Sequence, residues 1–148
     1  MNRFEAEVRA KGMTVFAHID HAAAAAAAGL SLRPTELLIF GNARGVTALM
    51  ELVQTIGIDL PLRALVWQDA SGITWLSYVD PNWLAKRHRL HPEVGATVSA
   101  LTSALNQMAR SSTTTANWCR HSTRSCSGGL ATVRACASSI RGWGGSGN

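Results

Sequence analysis

The 148 residues are 47% hydrophobic and 16% charged, long enough for one domain with a real core and too apolar for a disordered chain. The formal charge of +5 is unevenly placed: residues 1–110 carry 10 Lys and Arg against all 9 acids, residues 111–148 carry 4 Arg and no acid, and a body so close to neutral argues against nucleic acid as a partner. No apolar run approaches the ~20 residues of a membrane span, and acids stand where a signal peptide is apolar, so no membrane is expected and the expected place is the cytoplasm.

In chain order, Phe4 and Val8 lie four apart on one helical face, and Gly12 closes that short helix. "MTVFAHI" follows with strand spacing, which predicts Thr14, Phe16 and His18 on one face and Val15, Ala17 and Ile19 on the other. Asp20 suits an N-cap for the alanine run after His21, which Gly29 ends. "TELLIF", between Arg33-Pro34 and Gly41-Asn42, has the length and composition of a buried central strand. Val46, Leu49, Met50, Val53 and Ile56 keep the spacing of a helix packed on a sheet.

"LRALVWQDASGITWLSYVD" reads as two antiparallel strands around an Ala-Ser-Gly turn. Asp80-Pro81 predicts an N-cap with proline at the first helical position, and Val94, Val98, Leu101, Leu105 and Met108 form the stripe of a last helix. Beyond Arg110 the texture changes to Ser, Thr, Gly, Cys and Arg with little periodicity, so residues 111–148 are expected to be an irregular, disordered or low-complexity tail. A genuine flexible tail and translation in the wrong frame of a GC-rich gene both fit that texture.

The blocks "GMTVFAHIDHAAAAAAAGLSLRPTELLIFGN", "IDLPLRALVWQDASGITWLSYVDP" and "LAKRHRL" resemble, in order, the family called domain of unknown function 302 over about Phe4 to Met108. The resemblance implies a TBP-like α+β domain, an antiparallel sheet with helices packed on one side, and it implies no established activity. Family members usually begin with an additional strand and a fuller first helix, so relative to them this chain reads as N-terminally truncated. A strand missing there would leave its neighbour with an open edge, prone to aggregate or to pair with a second copy.

Among residues able to carry chemistry, Asp20 and His21 stand out, because a carboxylate beside an imidazole can fix its tautomer and make it a general base or a metal ligand. The bland alternative is a helix cap next to a locally bonded histidine. Tyr78 is a polar partner for that pair if the fold brings it within reach. His18 with His21, and His88 with His91, have a spacing that can serve a metal only if both rings reach one side.

Gly41-Asn42 with Arg44 could offer backbone N-H groups and a cation to an anion, although no phosphate-loop motif accompanies them. Trp67 and Trp75 read as core or interface, and Ser77, without an elbow motif, is not a candidate nucleophile. In the tail, Cys119, His121, Cys126 and Cys136 suffice for zinc in number but lack a knuckle. The residues therefore predict a small module binding a small molecule or metal around Asp20, His21, Gly41, Asn42 and Arg44 and pairing as a homodimer through its sheet or last helix. An enzyme with Asp20-His21 as base, and nucleic-acid binding by the tail, are the alternatives; no cofactor is identifiable.

Overall fold

The computed structural model describes residues 1–113, 124–126 and 130–135. Helix α1 (Asn2–Ala10) buries Phe4 and Val8, and the chain reverses at Gly12, whose φ of +71° an L side chain adopts only with strain. Strand β1 (Thr14–Asp20) leads into α2 (His21–Ala27), where the Asp20 carboxylate accepts the Ala23 N–H at 2.8 Å and no side chain is buried. Strand β2 (Thr35–Gly41) buries Glu36, Leu38 and Phe40 on one face.

Helix α3 (Ala43–Leu52) starts on the Asn42 side chain, which accepts the Arg44 N–H at 3.0 Å. The apolar spacing predicts one helix through Ile56, but the backbone opens to an extended conformation at Val53 and resumes as a 3-10 turn, Gln54–Ile58. Leu49 and Ile56 still both reach the core, because the interruption preserves the side of the chain they occupy.

Strands β3 (Leu62–Gln68) and β4 (Thr74–Val79) form the expected hairpin. Its turn is organised by Asp69, whose carboxylate accepts the N–H groups of Ser71 and Ile73 and the indole N–H of Trp75, with Gly72 at φ +75°. Asp80 caps α4 (Pro81–Arg87) by accepting the Asn82 N–H, with Pro81 at the first turn. A 3-10 turn, Pro92–Val94, precedes α5 (Gly95–Thr113), which buries Val98, Leu105 and Met108. Lys11 ties α1 to α5 through Gln107 at 2.8 Å.

Two stretches of the segment read as an irregular tail are strands, β5 (Arg124–Cys126) and β6 (Leu130–Ala135). Strand β6 pairs antiparallel with β4, Val79 opposite Leu130 and Thr74 opposite Ala135, so the described sheet runs β1-β2-β3-β4-β6-β5. The alternation of "LATVRA", with β-branched Thr132 and Val133, suits a strand when a neighbour's open edge supplies the hydrogen bonds that the segment alone lacks.

The molecule is α+β, as expected. Phe4, Val8, Leu38, Phe40, Leu62, Ala64, Leu76, Tyr78, Leu84, Leu105 and Met108 make one core between the helices and one face of the sheet, and Phe4 meets Phe40 edge to face at 5.5 Å. None of Leu37, Ile39, Leu65, Trp67 and Trp75, on the alternate positions of β2, β3 and β4, belongs to that core.

Candidate functional site

The register of β1 on β2 decides what Asp20 and His21 can do. Thr14 lies opposite Gly41 and Asp20 opposite Glu36, so Asp20-His21 and Gly41-Asn42 sit at opposite ends of the strand pair, about 17 Å apart at ~3.4 Å per residue. The expected pocket uniting them does not form. Asp20 is occupied as a helix cap, and His21 is an exposed first residue of α2. At the other end Asn42 is likewise a cap, and the space beside Gly41 is filled by Val46, Pro61 and Phe16 at ordinary contact distance. Arg44 is exposed.

Tyr78 is also remote from Asp20 and His21. It lies in the row His18, Leu38, Ala64, Tyr78, three strands from β1, about 14 Å at ~4.8 Å per strand. Its hydroxyl donates to Asn106 Oδ1 at 2.7 Å. Burial pushes the phenol pKa above 10.0, Asp80 adds to that rise, and Arg110 opposes it. A neutral phenol committed to α5 is a structural group, so a base-phenol pair is not assembled.

The bulge between Val15 and Ala17 overturns the expected facing of β1. Phe16 is the extra residue, so His18 shares the core-side face with Val15 and Leu38, and Phe16 is 53% exposed. His18 is thereby aimed at two carboxylates: its Nε2 lies 2.5 Å from Glu36 Oε2 and its Nδ1 3.7 Å from Glu5 Oε2 on α1. Arg9 completes the group through Glu5 at 2.7 Å.

A second polar joint places His88 Nε2 2.6 Å from Asp59 Oδ2, with the Arg87 Nε 3.2 Å from the same oxygen and its guanidinium over the Trp83 ring at 5.1 Å. His88 is nearly buried, whereas His91 is exposed beside Glu93 at 3.5 Å. The spaced histidine pairs therefore part, each imidazole taking a local carboxylate or solvent. Among the described residues no group of three or more His, Cys, Asp or Glu could hold a metal ion. Cys119, His121 and Cys136 lie outside the described residues, and Cys126 is described only as the last residue of β5.

Glu36 and Asp59 are not among the expected site residues. Glu36 carried a usable signal, since in "TELLIF" it alternates with Leu38 and Phe40 and so must face the core with a partner. Asp59 carried none, because its partner is 29 residues away.

The face of the sheet opposite the core is apolar around two tryptophans. The indoles of Trp67 and Trp75 stack with centroids 6.2 Å apart. Both N–H groups are spent within the chain, on Ser77 Oγ at 3.0 Å and Asp69 Oδ2 at 2.8 Å. Leu37, Ile39 and Leu65 flank them, half-buried, and Ile19 extends the surface onto β1.

Comparison with known proteins bears on the family. Two proteins named fluoride-specific ion channel FluC 1, from Brucella suis biovar 1 (strain 1330) and Brucella abortus biovar 1 (strain 9-941), are each 53% identical over 90 residues. That stretch is 61% of this chain but only 35% and 33% of theirs, so the chain spans about a third of these curated relatives. The crystal structure of an uncharacterized conserved protein DUF302 from Bacillus stearothermophilus superposes with a TM-score of 0.66 at 18% identity, covering 74% of this chain and 85% of that one, which shows a shared fold. The pattern described as "Domain of unknown function DUF302" matches residues 1–108, and the chain belongs to that family.

Proposed function

We propose that this chain is a non-catalytic module that works by self-association. The observation that carries the reading is the apolar sheet face opposite the core, formed by Leu37, Ile39, Leu65, Trp67 and Trp75. An apolar surface of this kind on a small domain is costly to leave in water and is a common mark of an interaction site.

Two further points support the reading. The residues expected to act together in catalysis are apart: Asp20 caps α2, Tyr78 donates to Asn106 on α5 three strands away, and His21 is an exposed residue at the start of α2. The relatives named as fluoride-specific ion channels match this chain over only a third of their length, and no helix among its described residues is long and apolar enough to cross a membrane. An accessory role beside a conducting part is consistent with both facts.

The test is the oligomeric state. Sedimentation equilibrium of the full chain across a hundredfold dilution should show a monomer–dimer equilibrium, and a monomer at every concentration would end the proposal.

A further inference from the structure

Resting on the accessory role beside a conducting part, we infer that the surface around Ile58 and the end of α4 docks on the face of an anionic lipid bilayer. Its centre is an exposed isoleucine set among cations. Ile58 is 70% exposed. Its carbonyl accepts the Arg63 guanidinium at 2.6 Å, and the carboxylate of the next residue, Asp59, lies 3.2 Å from Arg87 Nε. Lys86 and Arg89, both exposed, flank Arg87 and His88 in the chain. The half-buried Trp83 ring lies under the Arg87 guanidinium.

Charge singles this surface out. Residues 58–63 and 86–93 hold four of the 10 cations of residues 1–110, Arg63, Lys86, Arg87 and Arg89, against two acids, Asp59 and Glu93. The other six cations of that span stand against seven acids, so its whole positive excess sits here. Asp59 is taken up by His88 and Arg87, and Glu93 stands beside His91. Arg89 gives an independent sign. Its N–H bonds the Lys86 carbonyl at 3.2 Å and the Leu90 N–H bonds the Ala85 carbonyl at 2.9 Å, a closure in which helices commonly end on glycine. The φ of Arg89 is +50°, which an L side chain adopts only with strain. The backbone thus gives no reason for an arginine there, and a use for its charge does.

The apolar centre selects a bilayer among anionic partners. A nucleic-acid backbone pairs with the cations but gains nothing from Ile58. At a membrane surface the cations meet headgroups while an isoleucine and an indole reach the acyl boundary. The contact is with the surface alone, since no helix among the described residues is long and apolar enough to cross.

The test is flotation of the full chain with vesicles of phosphatidylcholine, alone or with about a third phosphatidylserine, in about 0.1 M salt. The chain should float only with the anionic vesicles. Arg89→Gly, which relieves the strained φ and so stays folded by circular dichroism, should lower the partition about fivefold. Ile58→Ser, at an exposed position, should lower it by a similar factor, and Arg44→Gln, at an exposed cation on α3, should leave it unchanged. Absence of flotation overturns the inference. Flotation that Arg89→Gly and Ile58→Ser leave unchanged also overturns it, and assigns the binding to the four arginines of residues 111–148. An oligothymidylate that displaces the chain from vesicles and loses affinity in the same two variants assigns the surface to nucleic acid and overturns it as well. Sedimentation equilibrium without lipid judges self-association separately, so neither failure implies the other.

Discussion

Glu36 Oε2 lies 2.5 Å from His18 Nε2, a contact between the acid that β2 turns toward the core and the histidine that the Phe16 bulge turns toward it. Without the bulge, His18 would face the other side of the sheet and Glu36 would be left buried beside Leu38 with no imidazole to meet it. His18→Ala should therefore destabilise the fold by about 1 kcal/mol, moderated by the partial exposure of the ring. The double variant with Glu36→Gln should lose clearly less than the sum of the single losses in urea unfolding. Additive losses would show that the contact contributes nothing to the fold.

The raised pKa of Tyr78 sets an alkaline limit on stability. Its folded value lies above the unfolded 10.0, so between the two the unfolded chain has released a proton that the folded chain retains, and stability falls as pH rises through that window. Tyr78→Phe should cost about 1 kcal/mol near neutrality through the lost bond to Asn106, yet flatten the loss of stability above pH 10.0. Unfolding free energies measured from pH 8 to 11 check both effects.

The Asp59 joint should be dominated by its histidine. Asp59→Ala removes the partner of a nearly buried imidazole and should cost about 2 kcal/mol, while Arg87→Ala, at a half-exposed side chain, should cost about 0.5 kcal/mol. Equal losses in chemical denaturation would contradict this ranking.

Asp20 and His21 should differ in kind. Asp20→Ala removes the cap of α2 and should cost about 1 kcal/mol, whereas His21→Ala, on an exposed position, should change stability by less than about 0.5 kcal/mol. A loss at His21 as large as that at Asp20 would show a buried or bonded role the geometry does not contain.

Much of this fold was legible because its local signals agree with its packing. Asp20 and Asp80 cap the helices they precede, Phe4 and Val8 reach the core from one helical face, and Leu38 and Phe40 do so from a buried strand. The candidate site was less legible, because it depended on register. Adjacency in sequence made Asp20-His21 prominent, but one extra residue at Phe16 re-aimed His18, and antiparallel pairing sent Gly41-Asn42 to the far end of β1. Strand β6 was hidden for a related reason: six residues with a mixed composition become a strand only when the edge of β4 is there to pair with them.

Isotope-filtered nuclear Overhauser spectra of a mixed labelled and unlabelled dimer show whether two copies meet through the face bearing Trp67 and Trp75. Contacts between copies are expected from the Trp67 and Trp75 indole protons to the methyl groups of Leu37, Ile39 and Leu65. Intermolecular contacts confined to α5 or to the outer edge of β1, with none from these indoles, would contradict it.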